Sequence, residues 1–169
     1  LPPDAAPPEQ QYMRFMARDD ETLDFVVAVY SRPDPPWQTL STPLIHLDKN
    51  FDLIPGAADS WEVSEDGLTW TFHLDPNLTW SDGVPVTAYD YEWSFQYMAD
   101  PEHGYDFAWY WGFSSNPKNW DKIINGELPP SELGVKAIDD HTLQVTTENP
   151  APYTPATMIF SRPLAQHAG

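Results

Sequence analysis

Residues 61–90 read WEVSEDGLTWTFHLDPNLTWSDGVPVTAYD, and the fold turns on this stretch. Trp61-Glu62-Val63 is followed by Ser64-Glu65-Asp66-Gly67 and then by Leu68-Thr69-Trp70-Thr71-Phe72-His73-Leu74. Successive side chains of a strand point to opposite faces, so Leu68, Trp70, Phe72 and Leu74 share one face and Thr69, Thr71 and His73 the other. Asp66-Gly67 makes the two runs a β-hairpin, because glycine accepts the positive φ that a tight reversal needs. After a second turn, Trp80-Ser81-Asp82-Gly83-Val84-Pro85, the period changes. Over residues 87–99, Tyr91, Ser94, Phe95 and Met98 fall at i, i+3, i+4 and i+7, one stripe of an α-helix. Thr87 with Asp90 three residues on has the form of a capping box with Asp in place of Glu, and Asp100-Pro101 ends the helix.

The flanking sequence adds elements of the same kinds. Residues 134–138 and 142–146 form a second hairpin, closed by Asp139-Asp140-His141. Residues 42–48 give a short strand through Leu44, Ile45 and Leu47, residues 119–124 a short helix before the turn Asn125-Gly126, and residues 153–160 a helix bounded by prolines. Toward the N-terminus, residues 11–17 alternate as a half-buried strand. Residues 22–30 are apolar without a clear period, strand and loop both fitting, and Arg32-Pro33-Asp34-Pro35-Pro36 stops them. Residues 1–10 hold four of the 19 prolines and read as a disordered leader. Strands and helices mixed in this way, and joined mostly by hairpins, indicate an α+β fold of antiparallel strands with packed helices.

Composition narrows the function. The chain has 169 residues, enough for about one domain with a real core. A net charge of -18 opposes binding to phosphate backbones, so nucleic acid is not an expected partner. With no Cys there is no disulfide framework, thiol chemistry or Cys-based zinc site. No apolar run approaches the ~20 residues that span a bilayer. The opening LPPDAAPPEQ has neither a basic start nor an apolar stretch, which places any targeting segment before Leu1.

Catalytic patterns are missing as well. His46, His73, His103, His141 and His167 are dispersed, with no pairing that would set two metal ligands on one element, and no cofactor is expected. Asp19-Asp20 and Asp139-Asp140 read as turn residues, since adjacent carboxylates on a strand face opposite ways. There is no GxSxG elbow and no phosphate-binding glycine loop. What stands out is the crowding of Tyr105, Phe107, Trp109, Tyr110, Trp111 and Phe113. Such a cluster is either the edge of a core or a rigid platform for a ligand. An extracellular sugar-binding or glycan-active domain using that platform is the alternative function.

Residues 54–74 followed by 80–90 (Trp80-Ser81-Asp82-Gly83-Val84-Pro85-Val86-Thr87-Ala88-Tyr89-Asp90) resemble the bacterial extracellular solute-binding proteins of family 5, the oligopeptide-, dipeptide- and nickel-binding components of ABC importers. Residues 133–146 with Pro150-Ala151-Pro152-Tyr153 are similar to the same family's next hairpin. The resemblance covers residues from about 11 to 163 and implies a binding protein, not an enzyme. Its partners would be a peptide or other small solute and an ABC permease. The protein would be a monomer in the periplasm or on the extracellular face, with a lipid anchor as an option.

Members of the family are several times longer, with two lobes closing on the ligand and a small extra domain on the first, so the chain is expected to be an N-terminal piece. The implied division is a leader at 1–10, a strand and extended segment of lobe one at 11–40, the small α+β domain at 41–163 and a truncated tail at 164–169. Two ligand-facing patches are implied. Val29, Tyr30 and Ser31 take the positions that run beside a bound peptide's backbone, and Phe107 aligns, through Asp100-Pro101, with a peptide-contacting aromatic. The oligopeptide branch carries an acidic residue where Val29 stands, so Val29 offers a peptide no charge.

Overall fold

A computed structural model describes residues 41–165. Its centre is a four-stranded antiparallel sheet in the order β3-β4-β6-β5, where β3 is Ala58–Val63, β4 Thr69–Leu74, β5 Val135–Asp139 and β6 Thr142–Thr146. The two hairpins are those expected, and they join because β4 pairs with β6, Trp70 opposite Val145 and Phe72 opposite Leu143. This register stacks Trp70, Phe72, Leu74, Val135, Leu143 and Val145 on one buried face. His73 is exposed and Thr69 and Thr71 half-buried on the other face, as alternation requires. Each large apolar side chain covered in this way contributes about 1.5–3 kcal/mol. The first reversal is fixed by Asp66, whose carboxylate accepts from the Ser64 hydroxyl at 2.6 Å and the Leu68 amide at 3.0 Å, while Gly67 takes φ 72°.

The helix α1 (Ala88–Ala99) lies against β5 and β6 and buries the expected stripe of Tyr91, Ser94, Phe95 and Met98. Its capping box forms: the Thr87 amide donates to the Asp90 carboxylate at 2.8 Å and the Thr87 hydroxyl lies 3.2 Å from the same oxygen. Glu92 covers the open edge of the sheet. Its carboxylate accepts from the Ala137 amide at 2.8 Å and from Lys136 Nζ at 3.3 Å. An unpaired edge amide is a template for aggregation, and this contact removes it.

Two small elements stand beside the sheet, β1 (Ile45–Leu47) and β2 (Leu53–Pro55), paired antiparallel. β1 falls within the expected strand, whereas β2 carried no readable signal because all three of its side chains are exposed. The helix expected over 153–160 is broken into a single turn, α4 (Thr154–Thr157), and a 3-10 turn over Met158–Phe160. Thr154 and Thr157 donate their hydroxyls to the carbonyls of Ala151 and Thr154, and such back-bonds compete with a regular helical ladder. The last element reaches back to the first: the Leu44 amide donates to Ser161 Oγ at 2.9 Å. Within α1, Tyr91 donates to the Thr42 carbonyl and Ser94 to the Arg162 carbonyl, so one helix holds both crossings of the chain.

Candidate functional site

The helices α2 (Ala108–Phe113) and α3 (Trp120–Ile124) pack against each other, and Trp111 anchors α2. Its ring is wholly buried, edge-on to Phe95 with centroids 4.8 Å apart, and 6.3 Å from Trp120. Trp120 in turn donates its indole N–H to the Ala108 carbonyl at 2.9 Å. With position 111 turned inward, helical geometry sends positions two residues away outward. Trp109 is 54% and Phe113 83% exposed.

Tyr110 lies between core and surface. It meets Trp111 edge-on at 5.6 Å, stacks on Phe107 at 4.8 Å and 11°, and takes the edge of Phe160 at 5.2 Å. Burial pushes its phenol above the ordinary tyrosine range, keeping it neutral. Phe107, half-buried at the start of α2, also meets Trp109 edge-on at 4.9 Å. The aromatic crowding is thus both core and surface: Trp111 belongs to the core, and Phe107, Trp109, Tyr110 and Phe160 form a wall facing outward.

The wall leads into a cavity of about 340 Å3 lined by Pro43, His46, Leu47, Ile159, Phe160 and Arg162. Arg162 is the only arginine among the described residues. Its Nη1 donates to the carbonyls of Ile159 and Ser161, both at 2.8 Å. These bonds fix the cation without neutralising it, since a carbonyl is a dipole and not a charge. Partial burial, and then the Arg162 cation, hold the His46 imidazole below the ordinary histidine range, so it is neutral at neutral pH. His46 therefore departs from the reading of the histidines as plain exposed residues.

Of the expected site residues, Phe107 is in the wall, while Val29, Tyr30 and Ser31 lie outside the described residues. Sequence reasoning missed Phe160, Arg162 and His46, whose meeting joins residues more than a hundred positions apart. The signal that existed was a lone Arg162 between Ser161 and Pro163 in a strongly acidic chain. Among the described residues no three His, Asp or Glu side chains gather as metal donors, and no helix is long and apolar enough to cross a membrane.

Comparison with known proteins agrees with this geometry. The family model "Bacterial extracellular solute-binding proteins, family 5 Middle" matches residues 52–168. The periplasmic oligopeptide-binding protein OppA of Salmonella typhimurium is 48% identical over 99 residues, covering 59% of this chain and 18% of that protein. The periplasmic murein peptide-binding protein MppA of Escherichia coli is 34% identical over 145 residues, 86% of this chain and 27% of that one. Among solved structures, Haemophilus influenzae OppA in complex with the peptide RPPGFSPFR superposes with a TM-score of 0.73 at 39% identity, over 76% of this chain and 25% of that one. The E. coli murein tripeptide binding protein MppA gives a TM-score of 0.75 at 31% identity, over 82% and 28%. The chain therefore spans about a fifth to a quarter of the relatives it matches. It belongs to the bacterial extracellular solute-binding proteins of family 5, and its α+β fold is theirs.

Proposed function

We propose that this chain is the N-terminal part of an ABC-importer binding protein that captures peptides or similar small solutes outside the cytoplasmic membrane and passes them to a permease. It performs no chemistry of its own. The protein works as a monomer in the periplasm or at the extracellular face, tethered by lipid where a lipidated residue precedes it. Relatives named for oligopeptide and murein-peptide binding favour this reading over a sugar platform.

The observation that carries the proposal is the outward aromatic wall of Phe107, Tyr110 and Phe160, which has a packed back and an open front. A pocket that buries most of a ligand needs a second wall. In the longer protein the second lobe supplies it, with Val29, Tyr30 and Ser31 beside the peptide backbone and Phe107 beneath its side chains. The adjacent crossings at Thr42, Leu44, Ser161 and Arg162 support assigning 41–163 to a small domain that leaves and rejoins a larger lobe.

Calorimetry with a pool of tri- to pentapeptides tests the reading. The full-length protein is expected to bind at micromolar concentration and the 169-residue chain to give no heat. Full-length protein without peptide binding, or micromolar binding by the short chain, would overturn it.

A further inference from the structure

We propose that the cavity beside Phe160 binds the carboxylate of an apolar acid, with Arg162 as its charge partner and Leu47, Ile159 and Phe160 as its apolar seat. Peptide capture makes that carboxylate a peptide's own, terminal or side-chain, and this part alone rests on the function proposed above.

The argument begins with charge. The chain as a whole is at -18, so its field repels anions, yet the six residues lining this cavity include one fixed cation and no carboxylate. Arg162 is not a loose surface arginine: two main-chain carbonyls of its own turn grip Nη1, so its position is set before any ligand arrives. A guanidinium held in place loses little entropy on pairing, and its planar fork matches a carboxylate.

The remaining surface decides what the carboxylate is attached to. Phe160 is 49% exposed, Leu47 39%, and Pro43 and Ile159 complete the lining with apolar atoms. His46, neutral, adds a hydrogen-bonding ring without a second charge. One cation within an apolar rim selects amphipathic anions over inorganic ones, because phosphate or sulfate would leave the rim unused. The cavity also continues into the stacked pair Tyr110 and Phe107 through the Tyr110–Phe160 contact, so a ligand anchored here extends along the aromatic wall.

The test uses the 169-residue chain and three probes followed by the NMR signals of His46 and Phe160: N-acetyl-phenylalanine, its neutral C-terminal amide, and N-acetyl-glutamate α-amide. Both acids are expected to bind saturably at millimolar concentration, at least about tenfold tighter than the neutral amide. The stronger of the two acids identifies the terminal or the side-chain source. Arg162→Gln should erase the preference. Because that variant also loses the two carbonyl bonds, Leu47→Glu at an exposed position serves as a second probe: it should weaken the acids about tenfold and leave the amide unchanged. Equal affinity for acid and amide, absence of saturable binding, or an acid preference that survives both substitutions would overturn the proposal. Acid binding here together with no peptide capture by the full-length protein would sink only the function proposed above.

Discussion

At Asp90 a single carboxylate carries the start of the central helix. It accepts from the Thr87 amide and faces the Thr87 hydroxyl from a buried position, so removing it leaves two donors without their acceptor. Asp90→Ala is expected to cost about 1–2 kcal/mol and Thr87→Ala about 1 kcal/mol in urea titrations. Trp70→Ala should cost more, roughly 3–5 kcal/mol, since its ring is on the covered face of β4. Comparable small losses at all three would contradict the assigned facing. Asp66 makes a pH prediction. Hydrogen bonds from the Ser64 hydroxyl and then the Leu68 amide hold its carboxyl below the ordinary carboxylate range. A group lowered in this way stabilises the fold above its unfolded value and loses that contribution as pH falls through the folded one, because the unfolded chain binds the proton first. The urea midpoint should therefore drop below about pH 4, and Asp66→Asn should make that drop shallower. These residues were readable because their partners lie within a few positions along the chain. Arg162 and His46 were not, because what makes them notable is a neighbour over a hundred residues away.

Elements differed in the same way. The hairpins and α1 announced themselves, since alternation and the i, i+3, i+4 stripe are both imposed by one apolar layer between sheet and helix. β2, with no buried side chain, left no pattern, and residues 153–160 carried helix-compatible residues whose hydroxyls turned the backbone into separate turns. Glu92 shows what an element pattern cannot show. On the helix it is one more acidic residue, yet it completes the edge of β5 by binding the Ala137 amide and Lys136. Glu92→Ala is expected to cost about 1–3 kcal/mol through the amide left unpaired. It should also open the β5 edge to a second copy, so light scattering at high concentration should rise before the urea midpoint has fallen far. A variant that loses stability but stays monomeric would mean that other contacts guard the edge.

In the molecule as a whole, the unit that folds and the site that works have different boundaries. One helix ties Thr42 at the entry and Arg162 at the exit, so the described residues close on themselves around a single core. The aromatic wall, by contrast, faces outward with nothing opposite it among the described residues. The resemblance could name Phe107, yet composition could not show which aromatic of that cluster turned inward; burial of Trp111 decides it. Phe107 then becomes the residue on which stability and binding should separate. It is half-buried and stacked on Tyr110 at 4.8 Å, so truncation removes a ring contact but opens no cavity in the core. In the full-length protein Phe107→Ala is expected to weaken peptide binding by about 1–2 kcal/mol while costing the fold about 1 kcal/mol or less. Trp111→Ala should do the reverse, losing roughly 3–5 kcal/mol of stability with affinity unchanged in the folded fraction. Melting temperature and peptide affinity measured on both variants distinguish a wall from a core. If Phe107→Ala lowers the melting temperature as far as Trp111→Ala and leaves affinity intact, the ring supports the domain and some other aromatic meets the ligand.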